Sequence, residues 1–289
     1  MKLSIFSYEL DIPTLPLSDW IDQGLKFLTS HYSGVTRSIS RITQDGIEGL
    51  NDVLMDVPEW LFIALFALMC ARIAGRHLAI GSVLGLGLIW NLGLWMPMIE
   101  TLTLVVIATL VAMAIALPIG VIAALSSRLY RLVMPLLDFM QTMPAFVYLI
   151  PAIPFFGIGS VSAIFATVIF SMPPTIRLTI LGIRQVPPQL VEAADAYGAT
   201  RRQKLFKVQL PLALPTIMAG INQTIMLALS MVVIAAMIGA DGLGSEVWRA
   251  IQRLRSGDGF VAGIAVVILA MILDRLTQSL QRNQQKKKE

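Results

Sequence analysis

Charge is what this 289-residue chain has least of. Only 14% of its residues are Asp, Glu, Lys or Arg, 56% are hydrophobic, and mean hydropathy is +0.75. A soluble domain is about one-quarter charged, so an ordinary cytosolic or secreted globular protein is excluded. Cysteine is nearly absent: Cys70 alone permits no intrachain disulfide. The two histidines, His31 and His77, lie far apart and make no metal site. No inner or outer segment holds paired carboxylates, a His cluster or a nucleophile with its base, so there is no catalytic residue to name. A GxxxxGK[ST] phosphate loop is missing as well. The one basic patch clear of the expected spans and their connecting loops is the short tail Lys286-Lys287-Lys288. That is too little for nucleic acid and reads as a cytoplasmic topology signal. Met1 to Leu10 is too mixed for the apolar core of a signal peptide, so the first membrane helix is expected to direct insertion itself.

What the chain does have is long uncharged stretches. Phe139–Ile176 has no charge over 38 positions, Val208–Ala240 none over 33, and Thr101–Leu125 none over 25. A membrane-crossing helix needs about 20 such residues. The reading is an all-α membrane protein with about seven spans, near 58–74, 78–97, 98–125, 133–156, 160–178, 214–240 and 258–275. Gly157 to Ser160 splits the longest run. Pro97 separates spans two and three, and Pro173-Pro174 end the fifth. The first and last spans have uncharged cores of only 12 and 15 residues. With the N-terminus outside and the C-terminus inside, 15 of the 22 Lys and Arg fall on the cytoplasmic side, as the positive-inside rule requires. Arg249, Arg253 and Arg255 are exceptions.

Residues 1–57 carry a net charge of −4 and precede the spans. Val35, Ile39, Ile42, Gly46, Leu50 and Val53 recur every three or four residues, so an amphipathic helix is expected there. It either lies on the outer membrane surface or forms a docking platform for another subunit. Within the spans, Ala108, Ala112, Ala116, Gly120 and Ala124 make an unbroken i, i+4 stripe. Gly220, Thr224, Ala228, Ala236 and Ala240 follow a similar line. Small residues let helices approach closely in lipid. The fourth span is rich in proline, and Gln141, Pro144, Tyr148, Pro151 and Phe155 fall on one helical face. That face is a candidate solute path; otherwise it is a kinked helix whose polar atoms bond to a neighbour. Asn222 and Gln223 are a second candidate pair. Asp138 and Arg177 are expected at the inner interface.

The inner segment 187–211 is patterned rather than linker-like. Pro187-Pro188 suits a helix start, and Gly198 is placed to end that helix in a left-handed conformation. Thr200 can cap a second helix, Arg201 to Val208, before Pro211 and Pro215 lead into the membrane. Glu192-Ala193-Ala194, three residues, Gly198, nine residues, Val208, one residue and Leu210-Pro211 resemble the EAA loop of bacterial ABC-importer permeases. The departure is Val208, where isoleucine is usual. Met140 to Pro151 and Leu205 to Pro211 are similar to the glycine betaine/proline subfamily. The resemblance covers 98–277 strongly and the first 97 residues more loosely.

That resemblance implies a type I ABC-importer permease fold in a bacterial cytoplasmic (inner) membrane. It implies a domain plan of 1–57 extracytoplasmic, 58–97 two accessory helices, 98–277 permease domain and 278–289 basic cytoplasmic tail. Glu192, Ala193, Ala194 and Gly198 would dock a separate cytoplasmic ATPase, which uses ATP and Mg; Leu210 and Pro211 would set the return into the membrane. No cofactor is implied for this chain. One EAA loop where two ATPases need two implies a second copy of the permease. An extracytoplasmic substrate-binding protein would select the solute, a quaternary amine held by cation–π contact. Rival readings are a permease for another small amine or amino acid, and a passive channel or secondary transporter. The scarcity of mid-membrane ionisable residues counts against ion coupling.

Overall fold

The computed structural model describes residues 2–5, 8–11 and 15–286. Two short strands, β1 (Lys2–Ile5) and β2 (Tyr8–Asp11), pair antiparallel with Leu3 opposite Leu10. All other regular structure among the described residues is helical, so the all-α expectation stands apart from this hairpin.

The first helices are α1 (Leu17–His31) and α2 (Ser33–Met55). The expected amphipathic periodicity is present in α2, and most of its apolar stripe is the exposed side. Ile47 is buried and Thr36, Ser40, Thr43, Leu50 and Leu54 are half-buried, whereas Val35, Ile39, Ile42 and Val53 are exposed. The bundle takes the mixed face, and the apolar stripe is left outward. A 97° bend then leads into α3 (Glu59–Ala74), so α2 runs nearly perpendicular to it. Pro58 makes this break, since the residue before a proline avoids the helical region.

After Gly75, α3 folds back on α4 (Arg76–Asn91), where Ser82 Oγ donates to the buried Cys70 Sγ at 3.4 Å. Each helix has 16 residues, about 24 Å at 1.5 Å per residue, short of a roughly 30 Å hydrocarbon layer. The span expected at 78–97 thus ends early, at a turn over Leu92–Leu94. Pro97 does not separate spans. It sits in the first turn of α5 (Trp95–Leu125), where its missing N–H would be unpaired in any case.

The span expected at 133–156 is not one helix. α6 (Ser127–Thr142) and α7 (Leu149–Phe156), joined by a tight turn at Ala145–Tyr148, meet at 111°. Gly157 and Gly159 then turn the chain into α8 (Ser160–Arg184), as the sequence suggested. Pro173 and Pro174 do not end this helix. Both are buried inside it, and a proline is tolerated within a membrane helix when neighbours satisfy the freed groups.

Next come α9 (Pro188–Ala196) and α10 (Arg201–Lys204). A π-helical turn, Leu205–Gln209, carries α10 without a break into α11 (Leu210–Ala235). A short α12 (Leu243–Gln252) precedes α13 (Ser256–Lys286). The last span, expected at 258–275, belongs to this longer helix, which also takes in the expected tail up to Lys286; Lys287 and Lys288 lie outside the described residues. Among the described residues, four helices are long and apolar enough to cross a membrane, 95–125, 160–184, 201–238 and 256–281, or six if each bent pair crosses once. The count of seven is lowered by the short α4.

The core is α8 wedged between α5 and α11. Ala108, Ala112 and Ala116 of the α5 stripe are fully covered. A Cβ on Gly120 would lie 2.7 Å from Thr179 Cβ, and one on Gly220 would lie 3.0 Å from Thr175 Cα. Close approach lets hydroxyls reach across: Thr224 Oγ1 donates to Ser171 O at 2.8 Å and lies 2.8 Å from Thr175 Oγ1. We therefore expect Gly220→Val to destabilise the purified protein by about 1–3 kcal/mol, the usual cost of overpacking. Gly263, whose Cβ would meet nothing within 4 Å, is the control. The thermal midpoint in detergent should fall for Gly220→Val and stay within a degree or so for Gly263→Val.

Candidate functional site

The knob at 187–211 is built from three local devices. Pro187 caps α9, with Pro188 in its first turn. At the other end Gly198 N donates to Asp195 O at 2.9 Å and Ala199 N to Ala194 O at 3.0 Å, the paired bonds of a Schellman turn. This closure needs φ +72° at Gly198, a conformation that costs an ordinary residue about 1 kcal/mol or more. Thr200 then opens α10 with a capping box: Gln203 N donates to Thr200 Oγ1 at 3.3 Å, and Thr200 N donates to Gln203 Oε1 at 2.8 Å. Lys204 Nζ reaches both carboxylate oxygens of Asp195 at 2.7 Å, tying α10 back to α9.

No residue of α9 is buried. Glu192, Ala193, Ala196 and Leu190 are exposed, Ala194 is half-exposed, and Tyr197 stands 93% exposed. The face combines one carboxylate, short alanines and an aromatic ring. Behind it, Ile183, Leu205, Ala213 and Ile217 form a buried cluster that roots the knob between α8 and α11. Arg184 adds a clamp, donating from Nε to Ala124 O at 3.2 Å with its guanidinium 3.9 Å from the Tyr130 ring centre. A groove of about 280 Å³ runs beside α9, lined by Ala124, Val186, Val191, Glu192 and Gln209 among others.

Leu210 and Pro211 lie where α10 becomes α11, and here the structure departs from expectation. The second knob helix does not stop at Val208. Pro211 lacks the N–H that would pair with Lys207 O in an α-helix; the π turn absorbs this irregularity, with Leu210 N donating to Leu205 O. Knob and membrane helix are therefore one continuous rod over 201–238, and the span expected at 214–240 is its C-terminal two-thirds, ending two residues earlier.

The candidate face in the fourth span does not survive as a single face. The 111° bend separates Gln141 in α6 from Pro144 in the turn and from Pro151 and Phe155 in α7. Gln141, Pro144 and Pro151 are exposed and Phe155 half-buried, while Tyr148 is only 5% exposed. Tyr148 OH donates to Met140 O, the carbonyl that Pro144, four residues on, leaves unpaired for want of an N–H. The phenol fastens the bend, the second of the two alternatives above.

The pair at 222–223 is split. Asn222 faces α13, where its Nδ2 donates to Asp274 Oδ1 at 3.0 Å and Thr277 Oγ1 donates to its Oδ1. Gln278 Nε2 donates to both Asp274 oxygens at 2.8 Å. Gln223 is exposed on another side of α11. Asp138 and Arg177 pair at 2.6 Å, joining α6 to α8. Sequence reading passed over Asp274, though a carboxylate closing an apolar run was a visible signal. It also passed over Ser171, Thr175 and Thr179, an i, i+4 line of hydroxyls. All three are buried on α8.

Residues 116–289 match the family described as "Binding-protein-dependent transport system inner membrane component". The chain is 54% identical over 276 residues to the glycine betaine/carnitine transport permease protein GbuB of Listeria monocytogenes, covering 94% of this chain and 98% of that one. It is 50% identical over 270 residues to the glycine betaine transport system permease protein OpuAB of Bacillus subtilis, covering 93% and 96%. Among solved structures, an inward-facing MetNI methionine ABC transporter aligns with TM-score 0.60 at 24% identity, over 64% of this chain and 93% of that one; this similarity speaks to the fold alone. The chain belongs to the family of inner-membrane permease components of binding-protein-dependent ABC transporters, with the type I importer fold.

If Tyr148 fastens the bend, Tyr148→Phe leaves Met140 O buried without a partner. The expected loss is about 1–3 kcal/mol, read as a lower thermal midpoint, and Pro144→Ala in the same chain should recover part of it by restoring the missing donor.

Proposed function

We propose that this chain is the transmembrane subunit of an ATP-driven importer for a small quaternary-ammonium osmolyte, glycine betaine or a close analogue. It works as a homodimer with a separate cytoplasmic ATPase and an extracytoplasmic binding protein. The observation that carries the coupling half of this reading is the continuity of the knob with α11. A partner gripping α9 through Glu192, Ala193 and Ala194 moves Asp195, and through Lys204 moves α10. α10 has no hinge before α11, so displacement at the inner face tilts a helix that runs the depth of the membrane. The open alanines allow close approach of a partner, and Tyr197 offers an aromatic anchor of the kind enriched at interfaces.

The osmolyte assignment is supported by the printed functions of the relatives that match over nearly the whole chain. ATP and Mg²⁺ belong to the partner; nucleotide binding closes the ATPase pair and draws the two knobs together. The inner placement of the knob is supported by its own charge, since Arg201, Arg202, Lys204 and Lys207 cluster there. On this reading the chain itself catalyses no reaction.

Two outcomes are expected. In Gly198→Val the strained turn releases α9 from α10, so solute import falls at least about tenfold, equivalent to about 1.4 kcal/mol of coupling, while the protein still inserts in the membrane. Normal import together with normal ATPase association would remove the knob from the mechanism. In reconstituted vesicles with binding protein and ATPase, glycine betaine should stimulate ATP hydrolysis more than proline, choline or carnitine at equal concentration. Stimulation by another small amine or amino acid alone would reassign the solute.

A further inference from the structure

The outer surfaces of the long helices differ in one respect. On α5 the exposed side chains in mid-span are Leu110, Val111, Ile115 and Ile122, and on α13 they are Phe260, Ile264, Val267 and Met271. Those surfaces are hydrocarbon and suit lipid. α8 exposes only Leu181, Arg184 and Gln185, at its inner end. On α11 the open line runs Leu212, Thr216, Ala219, Gln223, Met226, Ser230, Ile234 and Met237. Gln223, Ser230, Leu212 and Met237 on it are exposed and the others half-buried. These positions fall every three or four residues, about a third of a turn round the helix from the line Gly220, Thr224 and Ala228 that packs on α8, and Thr216 at their edge still approaches Gly182 of α8.

Gln223 is 13 residues beyond Leu210, about 20 Å along the helix, and stands slightly farther from Ile238 at the other end. An amide held in hydrocarbon at that depth without a partner costs several kcal/mol. Ser230 lies two further turns toward the outer side and returns its own hydroxyl to Met226 O at 3.1 Å. The fastened bend sits alongside: Tyr148, Leu149 and Ala152 pack with Met231, the next residue. On its other flank α11 is held to α13 by Asn222 and Asp274.

We propose that this line of α11 faces water rather than lipid, and that Gln223 and Ser230 are the side chains that contact the solute as it passes between two copies of the chain. The proposal rests on the importer reading above and replaces the proline-rich face as the solute path. Gln223 supplies both donor and acceptor to a zwitterion, and Ser230 a hydroxyl. The small Ala219 leaves room toward the inner side. Neutral polar groups suit a solute that must leave again, since a fixed charge would bind it too tightly to release.

The test uses single cysteines in the assembled transporter, isolated through a tag on the ATPase. Cys70 is buried and stays silent. A charged, membrane-impermeant thiosulfonate should label Gln223→Cys and Ser230→Cys about tenfold faster than Leu110→Cys or Ile264→Cys, because a thiol reacts as thiolate, which forms in water. Millimolar glycine betaine should slow labelling at 223 and 230 and leave 110 and 264 unchanged. Labelling at 223 and 230 no faster than at 110, in transporters that still import, would overturn the assignment. If Gln223→Cys fails to assemble, Ser230→Cys carries the same comparison. Failure of the unsubstituted chain to co-purify with any ATPase would instead overturn the importer reading.

Discussion

Hydrocarbon offers no water to an unpaired peptide group, and this constraint shapes every irregular feature of the bundle. Where a proline removes an N–H, something must answer the carbonyl it leaves. At Pro144 the answer is Tyr148 reaching back to Met140; before Pro211 the helix loosens into a π turn, in which Leu210 N pairs with Leu205 O. α8 carries two prolines deep inside the core and stays helical, held by α5 on one side and α11 on the other, with Gly120 and Gly220 allowing backbone-to-backbone approach. The bonds of the Thr224 hydroxyl to the Ser171 carbonyl and the Thr175 hydroxyl depend on the same closeness.

From that packing follows a mechanical arrangement. α8 and α11 are the most intimately fitted helices, and α9 joins their inner ends. Its turn at Gly198 is short, hydrogen-bonded and braced by a bidentate ion pair. The exposed ion pair adds little stability by itself; its value lies in fixing the angle between α9 and α10. A rigid elbow at the membrane surface is of little use unless something outside the chain pushes it, which is why exposed alanines and an exposed tyrosine on α9 accord with a docking role.

Much of this was legible in the sequence. Small-residue stripes found the α5 and α11 contact faces because close packing in lipid requires small side chains. The 157–160 turn and the Gly198 closure were legible because glycine has few reasons to stand in such places. Other features were not. The 111° bend was missed because an uncharged run looks the same whether straight or broken. Pro173-Pro174 were read as a terminus because local propensity cannot register the burial that overrides it. The candidate face through Gln141 and Tyr148 failed with the bend, and half of the 222–223 pair proved structural, since single-helix geometry cannot say which neighbour each side chain meets.

The central claim is that the knob and α11 move as one body. Spin labels on Ala193 and Met237 of a single protomer, in a dimer whose other copy is unlabelled, measure it most directly. The distance between them should be the same without nucleotide and with ATP trapped in the ATPase, while the distance between Ala193 labels on the two copies shortens. A change in the Ala193–Met237 distance on ATP binding would mean that the chain flexes between α9 and the membrane, and the lever would not exist.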